Sequence, residues 1–157
     1  MPQLRLETMI DAPPDVCFGL AISVDAHTAS MGASGERAVA GVTSGEMRLG
    51  DTVTWRARHF GLPFRLTSRI TVSERPDRFV DEQVRGPFGH WRHEHRFELR
   101  GTGTLMVDRI DFASPLGPLG RLVDAVALER YMRRLIETRN AWLAEQLATG
   151  SGPGSGD

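Results

Sequence analysis

Residues 85–97 read Arg85-Gly-Pro-Phe-Gly-His-Trp-Arg-His-Glu-His-Arg-Phe97, a turn signal followed by unbroken alternation. Gly86, Pro87 and Gly89 make the turn. In an extended chain successive side chains point to opposite faces, so Trp91, His93, His95 and Phe97 share one face. His90, Arg92, Glu94 and Arg96 take the other. The charged face suits solvent, and its opposite must be buried. Two imidazoles are therefore expected to point at an interior, either as a polar spot in a ligand cavity or as part of an active site.

Working outward, Gly101-Thr102 is a turn, and Thr104 to Phe112 reads as the next strand. Pairing Arg100 with Gly103 places His95 opposite Asp108, Phe97 opposite Met106 and Trp91 opposite Phe112. The same register sets Glu94 against Arg109 and Arg92 against Asp111, two opposite-charge pairs that favour it. Upstream, Phe79 to Arg85 is a strand with two possible registers. One turns Phe79, Asp81 and Gln83 inward and the other Val80, Glu82 and Val84. The first is preferred because it buries Phe79.

The remaining elements follow from the period of the apolar residues. Leu4, Leu6 and Met9-Ile10 make a first strand. Pro13, Pro14 and Asp15 then start a short helix, with Val16, Cys17, Leu20 and Ala21 at helical spacing. Val24 to Met31 reads as a second brief helix, ended by Gly32. Period two begins with Arg37 to Val42 and continues through Asp51–Phe60 and Leu62–Val72, with Gly61 as the turn between the last two. Val53, Trp55, Ala57 and His59 share one face of the first of these; Leu62, Phe64, Leu66, Ser68, Ile70 and Val72 share one face of the second. Short turns imply an antiparallel meander with one buried face.

After Pro115–Gly120 the period changes to that of one long helix. Leu119, Leu122, Val126, Tyr131, Met132, Leu135, Ile136, Trp142 and Leu143 form its apolar stripe. Arg121, Asp124, Glu129, Arg130, Arg133, Arg134, Glu137 and Arg139 are assigned to its outer surface. The helix spans about 30 residues, or roughly 45 Å, and needs the apolar face of the sheet. Residues 149–157 are a Gly/Ser-rich tail, expected to be disordered.

A chain of 157 residues suffices for one domain, assigned to residues 1–148. A formal net charge of −1 argues against nucleic acid as a partner. All 19 basic residues are Arg, so no lysine is present for Schiff-base chemistry. Cys17 is the one cysteine and reads as a helix core residue. It cannot form an internal disulfide, which fits a reducing compartment. No secretory pattern opens the sequence and no apolar run reaches the roughly 18 residues of a membrane span. The expected location is the cytoplasm. No hydrolase elbow, phosphate-binding loop or dinucleotide fingerprint occurs.

Strand, two short helices, six antiparallel strands and a long C-terminal helix is an order that resembles the START-like (SRPBCC) superfamily over residues 3 to about 148. The local pattern Phe79-x-Asp81-x-Gln83, Gly86-Pro-Phe88, Trp91-x-His93-x-His95-x-Phe97, Asp108 and Pro115-Leu-Gly-Pro-Leu-Gly120 is similar to that of uncharacterised bacterial SRPBCC and polyketide cyclase-like proteins. The resemblance implies an α+β helix-grip fold, a curved sheet of about seven strands wrapped around the helix, with a hydrophobic cavity between them. It implies small-molecule binding but supplies no catalytic residue, since the superfamily varies in chemistry.

The expected function is therefore binding of a small, largely hydrophobic molecule between sheet and helix. Trp55, His59, Phe64, Phe79, Asp81, Gln83, Trp91, Phe97, Met106 and Phe112 are the candidate ligand-binding residues. His93, His95 and Asp108 would fix the ligand's polar end. In the alternative reading they are catalytic groups of a cyclase/dehydratase-like enzyme, in which Asp108 orients His95 and an imidazole moves a proton on a carbonyl compound. Two imidazoles at i and i+2 with a carboxylate also resemble a metal set. With no clear fourth ligand and apolar walls, no metal and no cofactor is expected. A monomer and a homodimer are equally compatible with the sequence.

Overall fold

The computed structural model describes residues 3–114, 118–119 and 127–148. Its strands are β1 (Gln3–Ile10), β2 (Arg37–Gly41), β3 (Thr52–His59), β4 (Leu62–Glu74), β5 (Arg78–Arg85), β6 (His90–Arg100) and β7 (Gly103–Ala113). Helices α1 (Pro14–Ala21) and α2 (Val24–Ser30) follow β1, and α3 (Glu129–Ala148) closes the described chain. The seven strands form one antiparallel curved sheet in the order β1-β7-β6-β5-β4-β3-β2. This is the expected α+β helix-grip arrangement.

Local chemistry explains each boundary. Pro14 opens α1, where its missing N–H costs nothing. Ser23 caps α2 by accepting the Ala26 N–H at 3.3 Å. β2 ends at Gly41, whose φ of 72° lies in the left-handed region. A Cβ there would sit 2.2 Å from the Thr52 carbonyl oxygen, so only glycine lets β2 lie this close to β3.

The β6–β7 register is the expected one throughout, from His90↔Ala113 to Arg100↔Gly103. On its outer face Glu94 lies within 4.0 Å of Arg109. Arg92, expected to meet Asp111, turns its guanidinium to Glu94 instead at 3.3 Å. Glu94 also pairs with Arg96 and Arg78 and is buried among them.

The β5 register turns Phe79 and Asp81 inward, Asp81 opposite His93 and Phe79 opposite His95. Val80 on the other face is fully buried as well, in line with Glu94 on β6. Leu62, expected inward, is exposed at the free end of β4.

The core forms where α1 and α3 meet the sheet. Phe18 of α1 meets Phe79 edge-on at 5.3 Å between centroids, and Ile10, Phe97, Met106 and Leu143 surround them. A second cluster joins Leu4, Trp91 and Phe112 to Met132 and Ile136 of α3. Cys17 is buried, as expected of a core residue.

Of the long C-terminal helix expected, α3 accounts for 20 residues, and residues 120–126 lie outside the described residues. Leu119, assigned to its apolar stripe, is 81% exposed. Leu122 and Val126 and the tail 149–157 lie outside the described residues. Arg139, assigned to the outer surface, is 3% exposed and belongs to the core. No helix among the described residues is long and apolar enough to cross a membrane.

Candidate functional site

Strand alternation and the β6–β7 register bring Asp108 behind His93 and His95, and the β5 register brings Asp81 in front of them. The rings of His93 and His95 lie 3.7 Å apart between centroids. His95 stacks on Phe79 at 4.1 Å.

Asp108 is fully buried and divides its two oxygens among its neighbours. Oδ1 lies 2.7 Å from His93 Nε2, and Oδ2 accepts the Asn140 amide at 2.6 Å. Arg139 Nη1 stands 3.8 Å from Oδ1 and donates to Asn140 Oδ1 at 3.2 Å; its Nη2 donates to the Ala21 carbonyl at the end of α1.

The expected His95–Asp108 pair is present only as a close approach. Nδ1 of His95 is 3.0 Å from Asp108 Oδ1 without hydrogen-bond alignment. Its Nε2 instead bonds Asp81 Oδ2 at 3.1 Å. Asp81 Oδ1 accepts the Trp91 indole N–H at 3.3 Å.

These contacts fix the charges. Burial acts to raise the Asp108 carboxyl, but its contacts with His93 and His95 hold it well below the ordinary carboxylate range. Burial likewise opposes ionisation of Asp81, and the His95 hydrogen bond with the charge of His93 overcomes it, placing Asp81 at about 2. Burial and the adjacent His95 push His93 down to about 4, against the pull of Asp108. Near neutral pH, His93 is thus an uncharged ring between two carboxylates. Because Asp108 can only accept, His93 donates from Nε2 and turns the lone pair of Nδ1 toward Asp81 Oδ2, 3.9 Å away.

A pocket of about 330 Å3 opens between the inner face of the sheet and α3. Of the expected residues, Trp55, His59, Phe64, Phe79, Asp81, Trp91, His93 and His95 line it. Phe97, Met106 and Phe112 do not: Phe97 and Met106 are sealed in the core with Phe18 of α1 and Leu143 of α3, and Phe112 in the second cluster with Leu4, Met132 and Ile136. Asp108 stands behind the imidazoles and reaches the pocket only through them. Gln83 is also outside the lining. Its side chain bonds Phe88 twice, donating to the carbonyl at 2.8 Å and accepting the N–H at 3.2 Å, and so ties the β5–β6 turn.

A second polar group occupies the α2 side of the pocket. Glu36 accepts from His27 Nε2 at 2.9 Å, and His27 lies over Trp55 at 4.2 Å. His59 Nδ1 bonds the Tyr131 hydroxyl, and burial pushes His59 below the ordinary imidazole value. Glu36, His27, Tyr131, Arg139 and Asn140 were not among the candidates. A signal existed for the last two, since positions 139 and 140 continue the stripe of Met132, Ile136 and Leu143.

No family model matches the sequence, and no curated protein matches it. Solved structures do resemble the fold. TTHA0849 from Thermus thermophilus superposes with a TM-score of 0.78 at 20% identity, covering 96% of this chain and 100% of that one. The Zhui aromatase/cyclase from Streptomyces sp. R1128 gives 0.73 at 15% identity, covering 99% of each. The major latex-like protein 151 of Panax ginseng gives 0.64 at 16%, covering 93% and 97%. At these identities the likeness is one of fold, and the fold is of the helix-grip type.

Proposed function

We propose that the chain binds a small, largely hydrophobic molecule between the sheet and α3, with the molecule's polar end at Asp81, His93 and His95. The observation that carries this reading is the pocket itself: about 330 Å3, walled mainly by apolar side chains, with few polar groups gathered at defined points. Structures of similar fold include an aromatase/cyclase, and that reaction class also handles organic substrates.

Native mass spectra of freshly purified protein, set against denatured spectra, test the proposal. An organic mass that leaves on denaturation is expected. Ala57, buried on the pocket face of β3, gives the control: Ala57→Phe fills the space and should abolish the adduct and weaken a fluorescent aromatic probe at least tenfold. Absence of any adduct, with probe binding unchanged in the filled variant, overturns the reading.

A cyclase/dehydratase-like reaction is the second reading, and one observation favours it. His95, at the wall of the pocket, stands between Asp81 and the buried Asp108 and beside an uncharged His93, an arrangement suited to moving a proton at a bound carbonyl. It differs from simple carriage in one readout: the ligand would be recovered chemically changed.

A further inference from the structure

The geometry points to a divalent transition-metal site at the wall of the pocket, with Asp81 Oδ2, His93 Nδ1 and His95 Nε2 as protein ligands and its open positions facing the pocket.

The three side chains offer ligand atoms that all lie within 4.8 Å of one another. Two of the separations are 3.1 Å and 3.9 Å, from Asp81 Oδ2 to His95 Nε2 and to His93 Nδ1. A metal bound at about 2.0–2.2 Å from each ligand spaces them by roughly 3.0–3.6 Å, so small side-chain rotations suffice. This set differs from the one suggested by sequence spacing, in which Asp108 was the carboxylate ligand. Asp108 lies on the far side of both rings.

That position gives Asp108 a different part. One oxygen, Oδ1, stands 2.7 Å from His93 Nε2 and 3.0 Å from His95 Nδ1. Metal-binding imidazoles commonly donate their distal N–H to a carboxylate, which fixes the tautomer and aims the other nitrogen's lone pair at the metal. Here a single carboxylate backs both rings. Asn140 and Arg139 hold it in place from α3.

The tautomers add an independent reason. An uncharged His95 has one N–H and faces a carboxylate at each nitrogen. Whichever carboxylate lacks the N–H meets a lone pair, at Asp108 in the present geometry, where Nδ1 has no aligned partner among the described residues. A metal ion bound at Nε2 resolves this conflict, since Nδ1 then carries the N–H toward Asp108. With a metal, both rings carry their N–H toward Asp108 and both lone pairs point toward Asp81. The charges agree: among the described residues two carboxylates stand against one guanidinium, Arg139. A metal there would present open positions to the pocket and could polarise a carbonyl or bind a water.

The inference does not depend on the apolar-ligand reading, because metal uptake is measured without any organic ligand. Chelator-treated, untagged full-length chain is titrated with Co2+, followed by visible absorption, and then with Zn2+. One equivalent of Co2+ with d–d bands, displaced by Zn2+, is expected. Asp81→Asn keeps an acceptor for Trp91 and should preserve the fold while lowering affinity at least 100-fold; His93→Gln should do the same. Asp108→Asn should weaken binding about 10- to 100-fold, and His90→Ala, on the opposite face of β6, should leave it unchanged. No uptake from micromolar Co2+ or Zn2+, or uptake unaffected by Asp81→Asn in a folded protein, overturns the site.

Discussion

Asp108 is a fully buried carboxylate, and what keeps it stable is the number of donors around it. Asn140 supplies the shortest of these contacts, at 2.6 Å. A hydrogen bond to a charged group contributes about 1.5–3 kcal/mol, and a buried acceptor left without it bears the full desolvation cost. Asn140→Ala should therefore lower unfolding free energy by about 2 kcal/mol in urea titrations, with an unchanged midpoint excluding this account. The sequence made half of this arrangement legible. Alternation put His93, His95 and Asp108 on one face, because a strand's period of two leaves no choice once one face is charged. Arg139 and Asn140 were missed because charge placed Arg139 outside, although its position follows the buried stripe. An arginine can enter a core where a carbonyl, an amide and a carboxylate meet its fork, and that meeting depends on how α3 is rotated against the sheet.

Elements differ in how firmly their sequences specify them. The β6–β7 hairpin has a short turn and two charge complementarities, and its register follows from them. β4 and β5 shift register at Thr67/Ser68 and at Ile70/Val72, irregularities that alternation alone does not announce. The β3–β4 hairpin carries a different departure. His59 pairs with Leu62 across Phe60 and Gly61, and both central residues have positive φ, 54° and 74°. Such two-residue turns favour Asn-Gly, so an aromatic in the first position is strained. Phe60 is 72% exposed, yet its ring lies 4.5 Å from that of Tyr131 at the edge of the pocket. Phe60→Asn should relieve roughly 1 kcal/mol of backbone strain and raise the melting temperature by about 2–4 °C. The same change should weaken retention of an aromatic probe in the pocket. A variant that is both less stable and equally retentive would show that the aromatic has no part in the pocket's edge.

At the scale of the molecule, the order of elements and the sheet face toward the pocket were legible, and the pocket's extent was not, since a cavity is set by how far α3 stands from the sheet. Its α2 side is closed by a cluster drawn from four parts of the fold: His27 on α2, Glu36 before β2, His59 on β3, and Tyr131 with Arg139 on α3. Glu36 connects them. Burial acts to raise its carboxyl, but the charge and hydrogen bond of His27, with His59 and Arg139 behind them, hold it below the ordinary value of 4.5. Burial, with the same carboxylate adding to it, pushes the Tyr131 hydroxyl up. As pH falls, the unfolded chain therefore protonates Glu36 before the folded chain does. The stability from this cluster is complete above about pH 4.5 and is lost as pH drops through the lower folded value. Glu36→Gln should be less stable than the parent near neutral pH, and the gap should narrow in urea titrations carried from about pH 6 to about pH 3.5. Asp81 and Asp108 titrate with the same sign in both proteins, so the difference between the two curves isolates Glu36. Parallel curves would mean that Glu36 gains nothing from His27, and that the α2 side of the pocket is held by packing of His27 on Trp55 alone.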